Sequence, residues 1–212
     1  MSPIQSALAT RYPDIMTCVP DIEEASRLLV GAYRQGHKVL ACGNGGSAAD
    51  SEHIVGELMK GFMLRRPVPD ELRQRLRAQF AELGDALADH LQGALSAISL
   101  VSQAALISAF ANDVAADMVF AQQVYGYGQP GDVLIGISTS GNSLNVINAI
   151  RVARTLGVKT IGLTGRTGGA MLSLCDVCIR VPSDQTYEIQ ERHLPIYHAL
   201  CMVVEEEFFG QK

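Results

Sequence analysis

Residues 38–57 read KVLACGNGGSAADSEHIVGE: an apolar run, a glycine-serine turn, then a helical pattern carrying His53 and Glu57 on one face. Glycine lets the backbone approach a ligand closely, and the unpaired N–H groups at a helix start favour an anion. The turn is neither a GxGxxG fingerprint nor a Walker A loop. No third glycine stands at the right offset, no acidic residue ends the next apolar run, and no Gly-Lys-Ser/Thr follows. A nucleotide is therefore a weak reading. The pattern recurs at residues 132–143, DVLIGISTSGNS, again a run, a small hydroxyl-rich turn and a helix start. Asn44, Gly45, Gly46 and Ser47 in the first turn, with Ser138, Thr139, Ser140 and Ser143 in the second, offer N–H and hydroxyl donors without a cation. That suits a phosphate monoester. Ser143 as a simple helix cap is the plainer alternative.

Five apolar runs read as strands buried on both faces: Lys38–Cys42, Leu95–Leu100, Asp132–Ile137, Lys159–Leu163 and Val177–Val181. Helical patterns at Ile22–Arg34, Ala48–Phe62, Val114–Tyr125, Leu144–Leu156 and Glu188–Phe208 separate or flank them. This alternation predicts a parallel sheet covered by helices on both faces, an α/β fold, with phosphate-binding turns at the carboxyl ends of strands. No linker divides the 212 residues, so one domain is expected over 1–212, with a helical region over 1–36. Within Pro69–Gly93, Leu72, Leu76, Phe80, Leu83, Leu87 and Leu91 recur at helical spacing. They predict one extra amphipathic helix around 69–93, packed on its own sheet or against another subunit.

A net charge of −5 argues against a nucleic-acid partner. The N-terminus does not read as a signal peptide, and the apolar stretches read as too short to span a membrane. Five cysteines, an odd number, suggest a reducing cytoplasm. Cys175 and Cys178 have metal-like spacing, but no second pair completes a zinc site, and a structural role is expected. The strand and turn at residues 159–166 read as scaffold.

On the helix opened by the first turn, Asp50, His53, Glu57 and Lys60 fall within an arc of about 80°. Near the C-terminus, Gln190 and His198 lie about 80° apart on another helix, while His193 is expected at a surface or interface. Pro195 is expected to kink that helix or mark its first turns. A glutamate and a histidine beside a phosphate clamp make a plausible base and acid for moving a proton next to a carbonyl. The same side chains, with His53 and Gln190, alternatively make a zinc site, although glutamine is a poor ligand by type.

CGNGGS with ISTSGNS, and His53-x-x-x-Glu57 with Ile189-Gln190-Glu191 and His198, resemble the phosphoheptose isomerases of the sugar isomerase (SIS) family. The resemblance runs from about Ile22 to the C-terminus, outside Pro69–Gly93. It implies a three-layer αβα sandwich with a five-stranded parallel sheet, assembled as a homotetramer with shared active sites. It also implies isomerisation of sedoheptulose 7-phosphate to D-glycero-D-manno-heptose 7-phosphate through an enediol, feeding lipopolysaccharide core synthesis. Glu57 would be the base and His198 the acid. The serines, Thr139, Gln190 and the pair Asn112-Asp113 would contact substrate, and zinc would sit on His53, Glu57, Gln190 and His198. Tyr187 departs from the aspartate that some members carry. Another phosphorylated ketose, or a non-catalytic SIS adaptor, are the alternative functions.

Overall fold

The computed structural model describes residues 2–210. Two helices open the chain, α1 (Pro3–Arg11) and, after a 3-10 turn at Pro13–Cys18, α2 (Val19–Arg34). Strand β1 (Val39–Gly43) leads into α3 (Gly46–Met59). A helical hairpin follows, α4 (Asp70–Phe80) and α5 (Glu82–His90). Then come β2 (Ala97–Ser99), α6 (Ala104–Phe110), α7 (Val119–Tyr127), β3 (Val133–Ile137) and α8 (Leu144–Thr155). The chain closes with β4 (Lys159–Thr164), the short α9 (Met171–Leu174), β5 (Val177–Arg180) and α10 (Thr186–Phe209).

All five strands pair in parallel in the order β2-β1-β3-β4-β5. Every residue of β1 and β3 is buried, as runs of Val, Leu and Ile without alternation require. One apolar cluster lies between the sheet and α2, α3 and α10, around Ile22, Leu29, Ile54, Leu58, Ile196 and Leu200. A second lies on the opposite face beneath α7 and α8, around Phe120, Val124, Val146 and Ile150. The α/β sandwich expected from the sequence is present, with strand ends shifted by a residue or two.

Several expectations need correction. Helix α3 ends at Met59 rather than Phe62, because the chain turns to extended backbone at Lys60. The segment 69–93 is a pair of helices, not one. The chain reverses at Ala81, whose φ is +49°. The pair is held by Arg73, 2.6 Å from Asp89, and by Arg77, 3.4 Å from Asp85. Its leucine stripe does not pack on the sheet: Leu72, Phe80, Leu83, Leu87 and Leu91 are exposed. The stretch before β3 is interrupted, with a π turn at Ala111–Ala115 and a 3-10 turn at Ala116–Met118 between α6 and α7. Taken together, Ala104–Tyr127 is long and apolar enough by length and composition to cross a membrane, contrary to the sequence reading. Its second half nevertheless packs against the sheet through Val119, Phe120 and Val124, and the strands on either side of it belong to that one sheet. His193 is fully buried, not at a surface, with Nε2 3.2 Å from the Thr164 carbonyl oxygen. Pro195 sits inside α10, past its first turn.

A non-glycine residue in Ala81's conformation carries strain on the order of 1–3 kcal/mol. Ala81→Gly is therefore expected to stabilise the protein by about 1 kcal/mol, read as a higher urea midpoint at unchanged slope. A lower midpoint would rule out strain at the reversal. Burial lowers the pKa of His193 to about 4, with the Thr164 carbonyl pulling weakly the other way. A histidine depressed from 6.5 contributes its full stability above that value and loses it as pH falls toward 4. Unfolding titrations should show about 2 kcal/mol lost between pH 7 and pH 5 through this residue. His193→Gln should flatten that part of the profile; an unchanged slope would assign it elsewhere.

Candidate active site

The strand order reverses direction between β1 and β3. From β1 the chain crosses to β2 on one side, and from β3 to β4 on the other. Ligands of open α/β sheets collect at such a point, beyond the carboxyl ends of the strands. Gly43 at the end of β1 is in register with Ile137 at the end of β3, so the two glycine-serine turns emerge side by side. Asn44 and Asn145 join them by a reciprocal pair of amide hydrogen bonds, each 2.9 Å.

In the first turn Gly45 has φ +55° and starts α3. A Cβ on Gly46 would meet the Gln190 amide nitrogen at 2.7 Å, so glycine here leaves room for that amide against the turn. Ser47 is buried behind it. In the second turn the buried Ser138 hydroxyl lies 2.9 Å from that of Ser143 and 3.5 Å from that of Ser140. Ser143 stands at the N-terminus of α8 without a side-chain cap bond, so its hydroxyl serves the turn rather than the helix. The Ser140 hydroxyl accepts the Asn142 N–H at 3.1 Å, and the Thr139 carbonyl accepts the Gly165 N–H at 2.9 Å. Backbone from residues 159–166 thus braces the second turn, in keeping with a scaffold role.

Two turns along α3 from the glycine-serine turn, the titratable side chains gather. His53 Nε2 lies 3.2 Å from Glu57 Oε1 and 3.5 Å from His198 Nε2. Glu57 is buried apart from an edge and has Lys60 Nζ at 3.2 Å. Burial holds the His198 pKa below the ordinary imidazole value, with the nearby His53 acting in the same direction and Glu57 opposing. The sequence did not single out Tyr197. Its hydroxyl donates to Asp50 Oδ1 at 3.2 Å and lies 3.0 Å from His53 Nδ1. Tyr197 neighbours His198 on α10, and only its apolar ring shows in a hydrophobic pattern.

Among the described residues, no group of three or more His, Cys, Asp or Glu side chains is drawn together as a metal cage. The contacts of His53 are pairwise. Asn112 and Asp113 bond each other at 2.8 Å on the exposed π turn. No hydrogen bond among the described residues links them to either turn or to His53. Tyr187 is exposed, with its hydroxyl 3.3 Å from Glu188 Oε1. Cys175 and Cys178 are free thiols beside Gly162 in the second apolar cluster. His198 also borders an apolar hollow of ≈ 270 Å³ walled by Ile4, Leu8, Tyr12 and Met202. A larger hollow of ≈ 630 Å³ lies between α2 and the end of α10, beside Arg27, Arg34 and Glu207. It has neither a glycine-serine turn nor an imidazole-carboxylate contact.

Gly46→Ala is expected to displace the Gln190 amide and weaken phosphate-sugar binding about tenfold by calorimetry, with the fold intact. Undiminished affinity would place Gln190 outside the binding surface.

The SIS domain profile matches residues 15–89 and 78–165. A phosphoheptose isomerase of Akkermansia muciniphila is 37% identical over 203 residues, 96% of this chain and 94% of that protein. One of Rhodospirillum rubrum is 42% identical over 89% of this chain and 87% of its own. The solved phosphoheptose isomerase of Neisseria gonorrhoeae superposes with a TM-score of 0.69 at 31% identity, covering 95% of this chain and 98% of that one. That of Francisella tularensis gives 0.73 at 29% identity, over 97% and 100%. With the paired turns at the switch point and near full-length relatives, the chain belongs to the phosphoheptose isomerase family of SIS-domain proteins.

Proposed function

We propose that this chain is an aldose-ketose isomerase converting D-sedoheptulose 7-phosphate to D-glycero-D-manno-heptose 7-phosphate. The observation that carries the reading is the meeting of His53 with Glu57 and His198 on the helix that leaves one of two adjoining glycine-serine turns. The turns take the phosphate and fix one end of the sugar, while Gln190 closes over the first turn. Glu57 then removes the C1 proton of the ketose to give an enediol. His198 returns a proton to C2, and the hydroxyl proton passes from O1 to O2 to complete the aldose.

His53, Glu57, Gln190 and His198 are the residues that would hold a zinc ion. His53 Nε2 stands 3.2 Å from Glu57 Oε1 and 3.5 Å from His198 Nε2, so two of these donors already neighbour His53. When bound, the ion supplies Lewis-acid polarisation of the sugar oxygens.

A homotetramer with shared sites accounts for Asn112 and Asp113, which stand exposed on an apolar stretch with Leu106 and Val114 and would reach a neighbouring subunit's cleft. The free thiols of all five cysteines fit a reducing cytoplasm.

An assay following sedoheptulose 7-phosphate tests the reading. Glu57→Gln and His198→Ala should each lower kcat by at least about 10³-fold while part of the sugar-phosphate affinity survives. Full activity in either would remove the acid-base pair. Metal analysis of purified protein should find one zinc per chain, lost in His53→Ala; a metal-free active enzyme would overturn the zinc site.

A further inference from the structure

Arg66 and Glu205 are both about fully buried, 1% exposed each, and lie outside the cleft. A buried ion pair is tolerated only when its remaining donors and acceptors are also satisfied. Here they are. Arg66 Nε donates to Glu205 Oε1 at 2.8 Å, Nη1 to the Leu58 carbonyl at 2.8 Å and Nη2 to the Glu57 carbonyl at 3.0 Å. The Glu205 oxygens accept the N–H groups of Phe62, Met63 and Leu64 at 2.8, 2.7 and 3.2 Å. The Phe209 ring covers the guanidinium, 4.8 Å from its centroid.

The two carbonyls belong to the last turn of α3, where no later helical residue donates, and a cation there also meets the negative end of the helix dipole. One of them is the carbonyl of Glu57. On α10, Glu205 follows His198 by seven residues, two turns along and within about 20° of the same face. The turn that carries Glu57 and the helix that carries His198 are therefore both referenced to one ion pair.

We propose that Arg66 and Glu205 are positioning residues for the isomerisation, setting where the Glu57 carboxylate stands relative to His198. This rests on the reading of Glu57 as the base.

Arg66→Lys keeps the charge but cannot reach Glu205 and both carbonyls at once. Its kcat for sedoheptulose 7-phosphate should fall about 10- to 100-fold, the cost of a displacement near 1 Å, while KM stays within about twofold because the phosphate turns lie at the other end of α3. Glu205→Gln, which keeps size and acceptor oxygen, should shift kcat in the same direction by less, and it decides the matter should Arg66→Lys fail to fold. Circular dichroism and a melting curve accompany each measurement. A kcat unchanged in folded protein, or a loss confined to KM or to Tm, would overturn the positioning role. Glu57→Gln is measured alongside. If it is inactive and the Arg66 and Glu205 variants are normal, only the positioning role falls; if it is fully active, the base assignment falls and the positioning role with it.

Discussion

The in-register parallel pairing of β1 with β3 is the constraint from which the site follows. Two neighbouring strands ending level, with their connections leaving in opposite directions, must deliver two loop-helix junctions to the same edge. Each junction contributes N–H groups and hydroxyls, and the Asn44–Asn145 amide pair keeps their spacing. The sheet thus brings backbone N–H groups and small hydroxyl side chains to one edge, the place where the proposed function seats the phosphate. The helix leaving the first junction then carries His53 and Glu57 away from that edge at a fixed rise per residue, so their reach along a bound sugar is set by helix geometry.

The second constraint is α10. It lies across α3, with Gln190 at the glycine turn, Tyr197 and His198 at His53, and Glu205 beneath the helix end. Its burial is wide: Ile189, His193, Ile196, Leu200 and Val204 make one stripe, and Tyr197, Ala199, Cys201 and Glu205 are buried on either side of it. That burial fixes the helix, and with it the placement of Gln190, Tyr197 and His198.

Much of this was legible in the sequence. Runs without alternation gave the strands nearly to the residue, and repetition of the strand-turn-helix device pointed to the sheet edge where the turns meet. The i,i+4 spacing of His53 and Glu57 is a local fact, and it survives folding. Other features were not legible, for physical reasons. Periodicity around residues 72–91 runs unbroken through Ala81, since the reversal there uses neither glycine nor proline. His193 lies on the stripe of Ile189, Ile196 and Leu200, and what lets its polar ring be buried there, the Thr164 carbonyl, is distant in sequence. Tyr197, Asn145, Arg66 and Glu205 act through partners far away in sequence, and Arg66 in particular sits in a basic stretch that reads as solvated surface.

The α4–α5 hairpin is stitched at its base. Gly93 N–H donates to the Arg66 carbonyl at 2.7 Å, the Gln92 side chain accepts Gly61 N–H at 2.6 Å, and Leu95 N–H reaches the Leu58 carbonyl at 3.0 Å. Chain enters and leaves through one narrow neck, so whatever lies between makes little mechanical demand on the sheet. The neck works as a socket: its contents can lengthen, shorten or be exchanged while α3 still ends on the same carbonyls. Variation at this place gives the protein room to change its outer surface without re-cutting its cleft.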